Sequence, residues 1–221
     1  VKSTITQISL LLRLYWKLEG QNKQVLSGVI LYVVAIVLVS GYIFEAPAAT
    51  EWLGLFWIIL LFASVNTGVL SYLQESGARR WYYYQLTDAT SVYVAKSIHI
   101  FTLILLVSAI AMGMMSLRFG LPMFQPLPVV AAVLLTSAGL AMLFAFMSGI
   151  ASQVRNAATL TTIIGFPLVI GLSLLAGKIA AAGLMREITM SDLKWDIMML
   201  LGMDLLIGGL GILLFAYIWR E

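Results

Sequence analysis

The chain has 221 residues, of which 62% are hydrophobic and 10% charged, with a formal net charge of +3 and no cysteine. A soluble domain carries about a quarter charged residues, so these proportions, with a strongly positive mean hydropathy, exclude a water-soluble globule and predict an all-α, multi-spanning integral membrane protein. The absent thiols exclude disulfides, zinc–thiolate clusters and thiol catalysis, the small net charge carries no nucleic-acid signature, and the alternation of an outer-membrane barrel is missing.

The first element is "STITQISLLLRLYWKLEG". Lys2, Thr6, Ser9, Arg13 and Lys17 follow one another at spacings of four, three, four and four, which lines them up on one helix face. Ile5, Ile8, Leu11, Leu12, Tyr15 and Trp16 fill the remainder. Residues 1–24 are therefore expected to form an interfacial amphipathic helix, with Arg13 and Lys17 on its basic edge, lying among the lipids of the inner leaflet. Such a helix serves either as an anchor or as a link between the spans and a cytoplasmic partner.

Spanning-length apolar runs follow at 25–44, 52–73, 98–117, 129–151, 160–175 and 197–219, six in a single permease-like domain. The first precedes "EAPAAT", where cleavage after Ala48 would satisfy the small-residue rule for signal peptides. At about 20 residues, however, the run exceeds a signal core of about 7–15 and reads as a span. The fifth run is short, and is expected either to cross with little tilt or to be completed by "AGKIAAAGL". Nine Lys and Arg on the N-terminal side of the spans against four on the other predict both termini inside.

Between the second and third runs stands "YLQESGARRWYYYQL". Glu75, Arg79 and Arg80 sit beside Trp81, Tyr82, Tyr83 and Tyr84. Inside-positive charge and headgroup-level rings would account for part of this. Four aromatic residues in succession exceed that need and offer the low-entropy contact area of a docking surface. The next stretch, "TDATSVYVAKSIH", is expected to form a short surface helix capped by Thr87 or Asp88. Glu75, Arg79, Arg80, Trp81, Tyr82, Tyr83, Tyr84 and Asp88 are the candidate partner-coupling residues.

Candidate chemistry is sparse. "GLSLLAGK" departs from a phosphate loop in its glycine spacing and in Ile179 after the lysine. Ser148 beside Gly149 has no evident base, and His99, the sole histidine, has no obvious orienting carboxylate or second ligand for a metal or haem. The methionines, such as Met112, Met114 and Met115, read as packing filler. Asp204 differs: a carboxylate inside the last span, among Gly202, Gly208, Gly209 and Gly211, marks a helix contact or a polar hinge. No metal or cofactor is expected on this chain.

The stretches "LFWIILLFASVNTGVLSYLQES", "YYYQL" and "GIASQVRNAATLTTIIGFPLVIGLSLL" resemble the CcmB family, the permease subunits of the haem-export ABC transporter of cytochrome c maturation. The resemblance extends over most of the chain and includes Pro167, with Gly171 where many members have a second proline. It implies an ABC-2 type permease in the bacterial inner membrane. Its expected parts are an N-terminal surface helix, a coupling segment at 74–96 and a folded-back hairpin at 175–196. The implied partners are a CcmA-type ATPase that holds the ATP, the membrane proteins CcmC and CcmD, and the haem chaperone CcmE, whose haem-loaded form the complex releases. Two ATPase subunits imply a second permease copy. The rival readings are an ABC-2 permease for a lipid, drug or polysaccharide, and a non-transporting scaffold.

Overall fold

The computed structural model describes residues 4–21, 23–73, 87–122, 125–153, 157–184 and 193–218, and all of their regular structure is helical. The helices are α1 (Thr4–Gln21), α2 (Lys23–Ile43), α3 (Ala49–Leu73), α4 (Ala89–Phe119), α5 (Pro126–Gln153), α6 (Ala157–Ala181, prolonged by the 3-10 turn Ala182–Leu184) and α7 (Lys194–Ile218). Five of them, α3 to α7, are long and apolar enough to cross a membrane. In α2 the apolar stretch Ser27–Ile43 is shorter.

Local chemistry explains the ends. The Glu51 carboxylate accepts the Ala48 backbone N–H at 2.9 Å, the backward half of a capping box at the start of α3. Gly120, at φ 79°, closes α4 by donating its N–H to the Ser116 carbonyl. Pro126 occupies the first position of α5, where a missing N–H costs nothing. The Gln125 N–H then donates to Gly183 O at 3.0 Å, so the beginning of α5 is tied to the end of α6.

Close glycine contacts fix the helix directions. Gly68 of α3 lies on Phe144 of α5, and Gly41 of α2 on Arg118 of α4, so each of these pairs runs parallel in an alternating bundle. The Arg118 guanidinium donates to the Gly41 carbonyl and stands over the Phe119 ring. Two apolar cores result. Trp52, Phe56, Ile59 and Ala63 of α3 meet Val29, Val33 and Val37 of α2 and Val107, Ala111 and Met115 of α4. An adjoining face of α3, with Leu53, Trp57 and Leu60, joins the larger core built around α5. Of the spanning windows, that of α5 is 61% buried within the chain and that of α7 only 22%, so α7 turns most of its surface outward.

One expectation changes. No separate surface helix precedes the third span: α4 runs unbroken from Ala89. No Gly or Pro interrupts its first five turns, and Val92, Tyr93, Ala95, Lys96 and His99 are all buried by neighbours there. The fifth run is indeed completed by its small-residue extension, the apolar helix reaching Leu184. Residues 175–184 therefore continue the helix, and the middle of the expected hairpin, 185–192, lies outside the described residues.

At the end where α6 finishes and α7 begins, Lys178 Nζ meets Asp196 Oδ1 at 2.7 Å with the lysine side chain 69% exposed. An exposed pair is worth about 0–1 kcal/mol. Lys178→Ala should therefore leave the thermal unfolding of the detergent-purified protein nearly unchanged; a pronounced loss would show that this contact organises the α6–α7 connection.

Candidate functional site

Two polar features stand out against the apolar bundle, one where α1 docks and one inside it. On α1, Leu11, Tyr15 and Glu19 recur at intervals of four and are buried. Arg13 and Lys17 lie on the exposed side, as do Thr6 and Ser9, so the expected polar stripe is present. The helix is nevertheless more than a surface anchor, because its opposite face packs on the first turns of α4.

The contact is chemically specific. Glu19 Oε2 lies 3.7 Å from His99 Nε2, with the two side chains 5% and 4% exposed. The Tyr15 ring sits 5.6 Å from the imidazole, and the Trp16 ring meets it edge-on at 5.2 Å. Lys96, one turn earlier on α4, is buried as well. Sequence reasoning found no carboxylate for His99 because the partner comes from a distant helix. The signal was present all the same: Glu19 is in step with Leu11 and Tyr15, off the polar stripe, and an acid on an apolar face asks for a partner.

A second tie joins α1 to the candidate coupling segment. Asp88 stands at the N-cap position of α4 with extended backbone angles (φ −75°, ψ 142°), but its side chain makes no cap bond. Its backbone N–H instead donates to Gln7 Oε1 at 3.3 Å. Of the predicted coupling residues only Asp88 falls within the described residues, and it is exposed. Glu75, Arg79, Arg80, Trp81, Tyr82, Tyr83 and Tyr84 lie outside them.

The interior feature is Asp204 on α7. It is 5% exposed, and no described residue hydrogen-bonds either carboxylate oxygen. Oδ1 occupies the space where a side chain on Gly139 of α5 would begin, against Leu172 of α6. Only a glycine admits a carboxyl so close to the facing backbone. Thr136 and Ser137 of α5 are wholly buried, and their hydroxyls also lack hydrogen-bond partners among the described residues.

Among the described residues, no three His, Asp or Glu side chains converge to hold a metal ion. His99 faces Glu19 and two aromatic rings, and the stretch from Gly171 to Lys178 is helical, not a phosphate-binding loop. What the geometry offers is contact-making: a surface helix latched onto a long helix, and a buried acid at a tight helix crossing. These features define an all-helical chain with several apolar helices of membrane-spanning length and a docked amphipathic helix. No protein-family model matches it, and no curated protein and no solved structure matches it either.

Proposed function

We propose that the chain is the permease subunit of an ABC transporter of the CcmB kind, with six spans and both termini inside, working in the bacterial inner membrane. ATP is hydrolysed on a CcmA-type subunit that docks at the coupling segment 74–96, and the permease converts that event into a rearrangement of helices. Acting with CcmC- and CcmD-type proteins, this motion drives release of the haem-loaded chaperone CcmE. The chain supplies differential contacts between two states, not bond-making chemistry.

One observation carries the mechanical part. The segment 74–86 enters α4 through Asp88, whose N–H is held by Gln7 of α1, and α1 is held in turn by the Glu19–His99 contact. A push on that segment therefore reaches the start of α4 and the surface helix together. The haem-pathway part rests on the family resemblance of the quoted stretches.

Replacing Trp81, Tyr82, Tyr83 and Tyr84 together with alanine should abolish co-purification of the ATPase while membrane insertion persists. Haem staining of c-type cytochromes should fall to the level of the deletion strain. Full association with the ATPase would remove the docking assignment; retained cytochromes in the deletion strain would remove the haem pathway.

A further inference from the structure

The α7 seam has an uncommon construction. At five places it meets its neighbours with a glycine on one side: Asp204 on Gly139, Met142 on Gly208, Phe215 on Gly149, Tyr93 on Gly211 and, more loosely, Met203 on Gly171. A glycine on one side lets the helices approach closely at each of these contacts. Beside it are two buried groups with no hydrogen-bond partner among the described residues, the Asp204 carboxyl and the Thr136 hydroxyl of α5.

Thr136 precedes Gly139 by three positions, so side chains at these positions project from one side of α5, about 5–6 Å apart at Cβ. The Asp204 carboxyl already lies at the Gly139 position. Ser137 belongs to another face, because it leads after two turns to Phe144, which packs on Gly68 of α3. Thr136 is thus the chemical complement of Asp204: a hydroxyl donor less than one helical turn away along the facing helix.

We propose that Asp204 and Thr136 are the two halves of an inter-helix hydrogen bond, open in this arrangement and closed in a second one reached by a short slide of α7 along its glycine seam. In that second arrangement the Thr136 O–H donates to the Asp204 carboxyl, and both desolvated groups are satisfied. The inference deepens the reading of the chain as a moving permease by naming the contact that changes.

The chain contains no cysteine, so disulfide trapping needs no background removal. Met142→Cys with Gly208→Cys reports the present arrangement in the full-length protein in membranes. Thr136→Val, which keeps the shape and removes the donor, should lower the ratio of closed to open forms about threefold, the change worth an average intramembrane side-chain hydrogen bond, and so speed formation of this disulfide by up to about threefold. Thr136→Ser should restore the parental rate, and Ser137→Ala should not alter it. Equal rates for Thr136→Val and the parent would overturn the proposal, and so would a disulfide that never forms. Repeating the trapping with the ATPase and ATP separates the two ideas. A Thr136 effect without any nucleotide response removes the transporter reading and leaves the hydrogen bond standing; a nucleotide response without a Thr136 effect does the reverse.

Discussion

Gly211→Leu should be the most damaging single substitution on α7, and Gly211→Ala a graded version of it. A side chain at this position would begin inside the Tyr93 ring, touching its hydroxyl and Cζ. Tyr93 has no room to retreat. It is 2% exposed, its hydroxyl donates to the Met142 carbonyl at 3.2 Å, and Phe215 covers the ring with centroids 5.6 Å apart. Forcing extra carbons into so filled a core costs about 1–3 kcal/mol, and more when backbone must shift. The alanine variant should thus lower the apparent melting temperature in detergent, and the leucine variant should fail to yield a monodisperse protein. The mechanism is checked by compensation: Tyr93→Phe removes the oxygen nearest the new methyl group, so Gly211→Ala with Tyr93→Phe should be less destabilised than the two separate effects combined. Simple additivity would show that the clash lies elsewhere.

How much of this could be read from residues alone differs sharply between backbone and site. The apolar runs declare themselves by length and composition, since a chain in lipid must satisfy its backbone internally and helices do so. The completion of the fifth run by "AGKIAAAGL" was likewise visible as one way to lengthen it, because its alanines are strong helix formers. The unbroken start of α4 was harder: "TSVYVAKSIH" carries Ser, Lys and His, which read as surface until α1 covers them. Burial of Lys96 and His99 is a property of the pair of helices and not of either sequence. Asp204 was legible as an anomaly, yet its neighbour Gly139 was not, because which glycine faces which helix depends on rotation about axes that apolar periodicity leaves nearly free. The aromatic run at 81–84 remains a sequence-level argument, lying outside the described residues.

Glu19→Ala should release α1 from the bundle without unfolding the rest. The carboxylate is the acidic group that faces His99 among the described residues, and both side chains are nearly inaccessible. Removing it leaves the buried imidazole without its partner while His99 Nδ1 already has none. Stranding a buried polar group costs about 1–3 kcal/mol. Apart from Glu19, the helix is seated by the buried Leu11 and Tyr15 and the partly buried Ile8 and Leu12, while Ile5 is 80% exposed. Arg13 and Lys17 make the loss measurable, because both are exposed and become trypsin sites once the helix opens. If cleavage follows the population of the open form, a loss of about 2 kcal/mol raises its rate about thirtyfold. Glu19→Gln keeps the shape and a hydrogen-bonding tip and should fall between parent and alanine. Because Gln7 of the same helix holds the Asp88 N–H, the opened helix should also loosen the entry to α4 and uncouple ATP turnover on the partner from cytochrome maturation. Unchanged proteolysis in Glu19→Ala would show that apolar packing alone seats α1, and that the acid on its buried face has no part in holding it there.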